Sequence, residues 1–284
     1  ARRRNQETPR GEGTEEVTMK AEEFCRLRKQ YSLPYADQKV ILEGCFSSSI
    51  ESVRRNPDTY FDDEKAKKVL NKIGQGYPAN YLAGYRDVQH LHLFLNEDTL
   101  IPRNETIWFV FDYLKNHYSF NHKKVLDIGT GSGLIALGIK KLFPEADVTA
   151  SDICESALKE AERSAQYNKL EVHFIKSDFF NSITGCFDFI VSNPPYIEED
   201  SKEVDAKYEP PLALYSGKDG CDSYKSLFSS LDFHLNKKGV SFFELESTNV
   251  ERVLKIADDL LPYYRKEVLK DQYERPRYLI RKKN

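Results

Sequence analysis

Beyond residue 123 the chain alternates short apolar runs with longer amphipathic stretches. Runs such as "KKVLDIG" and "FDFIVSN" predict short buried strands. Stretches such as "SGLIALGIKKLF" place apolar residues three and four positions apart, which is typical of helices. Strands that alternate with helices predict an α/β fold built on a doubly wound, mostly parallel sheet.

The end of this region departs from simple alternation. "SYKSLFSSLDFHLNKKG" predicts a helix that closes on its lysines and glycine, and "VSFFELE" predicts the strand after it. The last two strand-like segments, "YRKEVLKD" and "RPRYLIRK", have no convincing helix between them. We therefore expect one of these two strands to be antiparallel, in a single domain that spans residues 105–284.

The preceding part has two patterns. Residues 20–75 place apolar residues three and four apart, which predicts a small N-terminal helical domain over residues 19–76. "VQHLHLFLNEDTLIP" then carries leucines at every second position around a polar "NED" turn, which predicts a β-hairpin linker over residues 77–104. His90 and His92 would share one face of that hairpin and could form a metal pair, but no third ligand lies near them in sequence.

Composition narrows the class of protein. The 284 residues are 40% hydrophobic and 31% charged, as in soluble globular proteins, and the net charge of −3 does not suit a protein that coats nucleic acid. No apolar run approaches the roughly 20 residues of a membrane helix. The five cysteines are scattered and form no C-x-x-C. We therefore expect reduced thiols, no metal site, and a cytoplasmic location or an organelle matrix.

The first eighteen residues read differently from the rest. "ARRRNQETPRGEGTEE" is polar, poor in apolar residues and broken by proline and glycine, which predicts a disordered extension over residues 1–18. It has no apolar core of a secretory signal, and its glutamates disfavour an organelle leader.

Candidate chemistry begins at "VLDIGTGSG", a strand that runs into a glycine turn and a helix. Gly129, Gly131 and Gly133 permit a tight turn and let a ligand approach the backbone at a helix N-terminus. The spacing is neither that of a dinucleotide site nor that of a P-loop. Asp127 would repel a pyrophosphate but suits an ammonium group. We expect this stretch, including Thr130, to bind a cofactor; the alternative is a glycine turn without a ligand.

Acidic residues end the next two strands. Asp152 stands at the distance at which an acid accepts hydrogen bonds from ribose hydroxyls, although it could also cap the helix that begins near Glu155. Asp178 and Phe179 could hold an adenine, or could be a capping acid beside a core ring. Open α/β sheets bind ligands outside the carboxyl ends of their strands, where these residues fall. A nucleoside that carries an ammonium group and no phosphate indicates S-adenosylmethionine.

The strand "FDFIVSN" ends abruptly in Asn193-Pro194-Pro195-Tyr196. Prolines cannot continue a central strand, so the chain becomes a stiff extended loop. The Asn193 side-chain carbonyl and the Pro194 backbone carbonyl can accept both hydrogens of a planar NH₂ group, and Tyr196 can stack on that plane. Such an arrangement positions a nitrogen for methyl transfer without a strong base. The alternative is a rigid proline turn with Tyr196 as packing.

The ordered set of motifs resembles the release-factor glutamine N5-methyltransferases (HemK/PrmC type), within the class I S-adenosylmethionine-dependent methyltransferases. The resemblance runs from about Tyr77 to Ile280. It is carried in order by "YPANYLAG", "LIPRNET", "VLDIGTGSG", "NPPY" and "YEPPLALYSGKDGCDSY". It implies a seven-stranded methyltransferase sheet, joined by a hairpin to a small helical domain.

The resemblance also implies a substrate, the glutamine of the Gly-Gly-Gln tip of class 1 peptide-chain release factors. We also expect a monomer. Asn193, Pro194 and Tyr196 would be catalytic, and with Pro195 they would bind the glutamine amide. Arg103 and Glu105 of "PRNET" would line or brace the pocket. The chain departs from the family pattern at positions that do not touch the NPPY acceptors: Val88, His90, Asn104, Ser216, Glu246 and Asn249.

Three other functions fit parts of this pattern. The same NPPY chemistry suits the exocyclic amine of adenine, but a DNA enzyme needs a basic cleft and base flipping. Another protein glutamine is a closer competitor. A non-catalytic adaptor that only binds the cofactor is the third, and it predicts no methyl transfer to any acceptor.

Overall fold

A computed structural model describes residues 18–201 and 207–283. The chain divides into two compact units, with the boundary between Ala83 and Gly84. The predicted disordered extension, residues 1–18, lies outside the described residues except for Thr18, which begins a short strand. The domain limits drawn from the sequence remain a prediction; in the structure, the hairpin segment belongs to the second unit.

The first unit is helical, as the apolar period over residues 20–75 predicted. Its helices are α1 (Ala21–Gln30), α2 (Tyr35–Phe46), α3 (Ile50–Arg55), α4 (Asp63–Gly74) and α5 (Ala79–Ala83). Phe24, Phe46 and Phe61 pack ring against ring in its core. The pattern missed two three-residue strands, β1 (Thr18–Lys20) and β2 (Tyr60–Asp62), because so short a pair has no readable period.

The second unit opens with the predicted hairpin, β3 (Tyr85–Val88) and β4 (Leu91–Phe94). Its turn was placed wrongly: the chain reverses at Gln89 and His90, and "NED" follows β4. Both turn residues have positive φ, 46° and 68°, the backbone of a two-residue hairpin turn that matches the strand twist. Leu91 and Leu93 therefore lie on the same strand, β4, and Leu95 follows its last residue.

The expectation that His90 and His92 share one strand face is also wrong, since His90 lies in the turn while His92 lies on β4. His92 Nδ1 is 2.7 Å from Asp87 Oδ1, and its ring stacks on Tyr85. Over the described part of the chain, no group of three or more possible ligands gathers as a metal site. No helix of that part is long and apolar enough to cross a membrane.

The remainder of the second unit alternates helices with strands. The helical elements are α6 (Asn104–Trp108), a π-helical segment (Phe109–Leu114), α7 (Lys115–His117), α8 (Leu134–Leu142), α9 (Glu155–Asn168), α10 (Asp222–His234) and α11 (Val250–Leu260). The strands are β5 (Lys124–Ile128), β6 (Asp147–Asp152), β7 (His173–Lys176), β8 (Phe187–Ser192), β9 (Leu235–Glu244), β10 (Arg265–Lys270) and β11 (Pro276–Lys282).

These seven strands form one sheet in the order β10-β11-β9-β8-β5-β6-β7. β5 to β9 pair in parallel, and β11 is antiparallel to both of its neighbours, which confirms the expected reversal. Successive residues of β5 face opposite sides of the sheet: Val125 belongs to the apolar core on one side and Leu126 to the core on the other. One predicted boundary was wrong: "LNKKG" is the start of β9 and not the end of α10, because Leu235 already pairs with Phe187.

Candidate active site

A cavity of about 450 Å³ opens where β5, β6, β7 and β8 end. This volume is that of a small-molecule site, and the carboxyl edge is where open α/β sheets bind ligands. Two other cavities, of about 550 Å³ each, lie in the first unit and at the amino ends of β6 and β7. The edge cavity is therefore the candidate active site.

The cavity brings together a majority of the residues singled out from the sequence. Its walls include Gly129, Gly131, Asp152, Asp178, Phe179, Asn193, Pro194 and Pro195. Other predicted site residues are not among those that line it: Asp127, Thr130, Gly133, Tyr196, Arg103 and Glu105.

The glycine turn leaves open space. Gly129 and Gly131 have φ values of 72° and 54°, and a β-carbon at either position would meet no atom within 4 Å. Gly133 differs, because a β-carbon there would stand 3.1 Å from Leu137 and 3.3 Å from Ala161. The first two glycines make room for a ligand, and the third lets α8 pack closely.

Asp127 lies beneath the turn and is fully buried. Its Oδ2 accepts hydrogen bonds from the Thr130 hydroxyl at 2.7 Å and from the Ala136 N–H at 3.1 Å. Its Oδ1 has no partner among the described residues. Burial raises the pKa of Asp127 to about 7, although the two hydrogen bonds oppose the shift. The carboxyl group therefore shapes the turn and keeps one unsatisfied oxygen.

Asp152 joins β6 to the glycine turn. Its Oδ2 accepts from the Gly131 N–H at 2.8 Å, and its Oδ1 accepts from the Cys154 N–H at 2.9 Å. Burial raises its pKa, and the backbone hydrogen bonds oppose that shift. α9 begins after Cys154 without a side-chain cap, so Asp152 is not the cap of that helix. Its carboxylate lines the cavity and retains lone pairs for further donors.

Asp178 and Phe179 follow β7. The Asp178 carboxylate is exposed at the cavity, and Asn181 Nδ2 makes a long contact of 3.4 Å with it. Phe179 has a φ of 45°, a conformation that costs a non-glycine residue about 1–2 kcal/mol. The Ser177 hydroxyl donates to the Phe179 carbonyl at 2.9 Å and helps to hold this bend, which sets the ring at the cavity wall.

The NPPY loop begins where β8 ends. Pro194 is buried and Asn193 is half-buried, and both line the cavity. Asn193 Nδ2 donates to the Thr106 hydroxyl oxygen at 3.3 Å. The loop is then tied to residue 214, whose carbonyl accepts from the N–H groups of Tyr196 and Ile197 at 3.2 and 2.9 Å.

The structure places the Tyr196 ring against the core beneath the loop and not on the cavity wall. Burial raises the pKa of its hydroxyl. Its backbone carbonyl is held from two sides. On one side, Asn249 Nδ2 donates a hydrogen bond to this carbonyl oxygen at 3.3 Å. On the other side lies Gly220, where an added β-carbon would stand 2.4 Å from the same oxygen. Only glycine fits at position 220, which explains the second glycine of "GKDG".

Arg103 and Glu105 each form an ion pair with a residue that does not line the cavity. Arg103 forms an ion pair with Glu209, a buried residue of the "YEPP" segment. Glu105 pairs with Arg275 at 3.3 Å. These ion pairs connect the start of α6 to the loop after the NPPY segment and to the turn before β11.

Three departures from the family pattern have partners in the structure. Asn104 Oδ1 accepts from Arg86 at 2.9 Å. The Ser216 hydroxyl donates to Ser223 Oγ and accepts from the Ser223 N–H, both at 2.8 Å. Asn249 holds the NPPY loop, as described above. These substitutions are therefore built into the site.

Sequence reasoning assigned no role to Thr106, Glu244 or Tyr278. Glu244 ends β9 and is 1% exposed, and its Oε2 accepts from the hydroxyls of Thr106 at 2.7 Å and Tyr278 at 2.9 Å. Burial raises its pKa to about 7, against the effect of those hydrogen bonds. The sequence feature that could have pointed to them is their place in recognised motifs. Thr106 is the last residue of "PRNET", and Glu244 is the first residue of "ELESTN".

Comparison with known proteins identifies the family. A family model, the methyltransferase small domain, matches residues 109–209. The release factor glutamine methyltransferase of Streptococcus pneumoniae is 34% identical over 239 residues, which are 83% of this chain and 85% of that protein. The chain belongs to the release factor glutamine methyltransferase family. The Lactococcus lactis member is 37% identical over 182 residues, or 63% of this chain and 67% of that protein.

Solved structures agree with this family on the fold. A methyltransferase from Pyrococcus furiosus superposes with a TM-score of 0.55 at 23% identity, covering 79% of this chain and all of that one. A 16S rRNA methyltransferase of T. thermophilus, solved with AdoMet and guanosine, has a TM-score of 0.51 at 15% identity and covers 70% of this chain and 50% of that one. Both show that the second unit has a methyltransferase fold.

Proposed function

We propose that this protein transfers a methyl group from S-adenosylmethionine to the side-chain amide nitrogen, N5, of the glutamine in the Gly-Gly-Gln motif of class 1 peptide-chain release factors. Family membership supports the reaction and the substrate. The observation that carries the proposal to this chain is the orientation of Asn193. Its NH₂ group is engaged by Thr106, so its carbonyl oxygen is available to an incoming amide at the cavity wall.

The cavity suits the proposed cofactor. Gly129 and Gly131 leave room beside the backbone, and the unpartnered Asp127 Oδ1 below the turn is a hydrogen-bond acceptor that suits an ammonium group. Asp152 would accept from the ribose hydroxyls, and Asp178 with Phe179 would hold the adenine. When bound, S-adenosylmethionine supplies an electrophilic methyl group on a sulfonium.

The acceptor side depends on two carbonyls that approach from one loop. Asn193 Oδ1 and the Pro194 carbonyl would accept the two hydrogens of the glutamine NH₂ group and so fix the plane of the amide. With both hydrogens held, the nitrogen lone pair is directed out of that plane toward the methyl group. Positioning and local electrostatics would carry the reaction: the methyl–sulfur bond would break as the nitrogen–carbon bond forms, a neutral sulfide would leave, and the nitrogen would then release its proton to solvent.

A release factor is the protein partner that this function requires. We propose further that the enzyme acts as a monomer. We also propose a cytoplasmic location. Its support is that all five cysteines are free, as in a reducing compartment.

A transfer assay with methyl-labelled S-adenosylmethionine tests the proposal. The acceptors, offered separately, are a class 1 release factor, its Gln→Ala tip variant, a ribosomal protein extract and duplex DNA. We expect label on the intact factor and none on the tip variant. Label on DNA or on ribosomal protein alone would replace the proposed substrate, and no label anywhere, with cofactor bound, would favour a non-catalytic adaptor.

A further inference from the structure

A chain of hydrogen bonds runs from the sheet to the NPPY loop. It starts at Glu244 at the end of β9, passes through the Thr106 hydroxyl on α6 and ends at the Asn193 side chain after β8. The Tyr278 hydroxyl of β11 lies 2.9 Å from the same Glu244 oxygen and 3.2 Å from the Glu105 backbone carbonyl. Four separate elements of the second unit thus meet behind one cavity residue.

The donors and acceptors in this chain can be ordered. When Glu244 is ionised its Oε2 can only accept, and the 2.7 Å contact then takes the hydrogen of the Thr106 hydroxyl. The Thr106 hydroxyl has a single hydrogen, and that hydrogen is used toward Glu244. The Thr106 oxygen can therefore only accept from Asn193. Asn193 must turn its NH₂ group to Thr106, and its carbonyl oxygen must face the other way.

We propose that Thr106, held by Glu244, is a positioning residue that sets the direction of the Asn193 carboxamide. This inference rests on the proposed function, because the oxygen so directed is the acceptor for the substrate amide. A planar carboxamide has nearly the same shape when it is rotated by half a turn, so packing alone cannot select the orientation. A hydrogen-bond donor at the Asn193 oxygen would present NH₂ to the substrate and remove an acceptor.

The burial of this chain of bonds supports a specific role. Thr106 is 3% exposed and Glu244 is 1% exposed, so water does not exchange freely with their hydrogen bonds. A buried carboxyl group costs stability that an apolar residue of similar size does not. The Tyr224 hydroxyl donates to the Glu244 backbone carbonyl at 2.6 Å and fixes the end of β9 as well. Hydrogen bonds to both the side chain and the backbone of Glu244 thus fix the position of its carboxylate.

Variants of Thr106 distinguish its effect on the direction of the Asn193 carboxamide from its effect on packing. Thr106→Val keeps the shape of the side chain but has no oxygen, and Thr106→Ser keeps the hydroxyl. Glu244→Met removes the acceptor, which frees the Thr106 hydroxyl to donate to Asn193 Oδ1 and turn the carboxamide over. Thr149→Val is the matched control, because Thr149 is a buried threonine of β6 outside this chain of bonds.

The first experiment is NMR on the whole chain without substrate. Labelled asparagine and threonine methyl groups report the contact between the Asn193 amide protons and the Thr106 methyl group. We expect a strong contact in the native chain and a weakened one in Glu244→Met. A native chain in which the Asn193 amide protons point away from Thr106 overturns the inference, whatever the enzyme methylates.

The second experiment measures turnover of a release factor and the binding of S-adenosylhomocysteine. We expect Thr106→Val to lower kcat about 10- to 100-fold, with cofactor binding and the unfolding midpoint close to those of Thr149→Val. Thr106→Ser should recover a large part of the loss. Equal kcat in Thr106→Val and in the native enzyme refutes the positioning role. Failure of the native enzyme to label the release factor refutes the proposed function instead, and the NMR result then decides the orientation of the carboxamide.

Discussion

Asp152 Oδ2 accepts a hydrogen bond from the backbone N–H of Gly131 across 2.8 Å, which joins the end of β6 to the turn after β5. One carboxylate thereby shapes the glycine turn and lines the cavity beside it. Loss of this group removes both the contact proposed for the ribose hydroxyls and the support of the turn.

Asp152→Ala should therefore weaken the cofactor. Hydrogen bonds to a charged group contribute about 1.5–3 kcal/mol each, so we expect S-adenosylhomocysteine to bind about 10- to 100-fold more weakly in calorimetry. Asp147→Ala, at the exposed first residue of the same strand, is the control and should bind normally. A normal binding isotherm for Asp152→Ala would remove this residue from the proposed site.

Asn193→Ala should separate binding from chemistry. The variant lacks the side-chain carbonyl proposed to hold the substrate amide, and loss of one such directed group lowers kcat about 10²- to 10³-fold. Cofactor affinity should change little. Turnover and calorimetry on the same preparation check both points, with Asn116→Ala on the exposed face of α7 as the control. Unchanged turnover would contradict the proposed role.

Gly220→Ala should damage the NPPY loop. Gly220 has a φ of 67°, and an added β-carbon would stand 2.4 Å from the Tyr196 carbonyl oxygen. Gly185→Ala is the matched control, because Gly185 has a φ of 83° with no atom within 4 Å. Both variants bear the backbone cost of about 1 kcal/mol, and only Gly220→Ala should also lose turnover. Thermal unfolding and the transfer assay compare them; equal turnover would show that the close approach has no effect on the loop.

The stability of the protein should fall as pH rises toward neutrality. The pKa values of Asp127 and Glu244 are about 7 in the folded chain, against ordinary values of 3.8 and 4.5. Between these limits the folded state binds more protons than the unfolded state, so the free energy of unfolding decreases by at most about 1.4 kcal/mol per pH unit for each group. The decrease ends above pH of about 7, where both states are ionised.

Urea unfolding at several pH values between 5 and 8 measures this slope. Glu244→Gln removes one of the two titrating groups, so its slope over that range should be smaller than that of the native chain. The charged or titratable groups whose fields act on Glu244 are retained in the variant and include Arg277 and Glu105. Identical slopes in the two proteins would show that Glu244 keeps an ordinary pKa.

Much of the second unit could be predicted because its strands and helices have strong local periods. "KKVLDIG" and "FDFIVSN" became β5 and β8, and the reversed strand near the C-terminus followed from the missing helix. The hairpin turn was misplaced because Gln89 and His90 are not typical turn residues, while "NED" is. Positive φ at both positions is selected by the pairing of β3 with β4 and by the packing of the leucines.

The sequence by itself determined the fold class and the residues at the carboxyl edge, because strand order and glycine or proline punctuation are local properties. Only the tertiary structure decided which of those residues reach the cavity. Asp127 and Tyr196 are not among its wall residues: Thr130 donates to Asp127, and the Tyr196 ring packs against the core beneath the loop. The link from Glu244 through Thr106 to Asn193 joins residues as much as 138 positions apart, and hydrogen-bond direction at such distances is fixed only when the chain is folded.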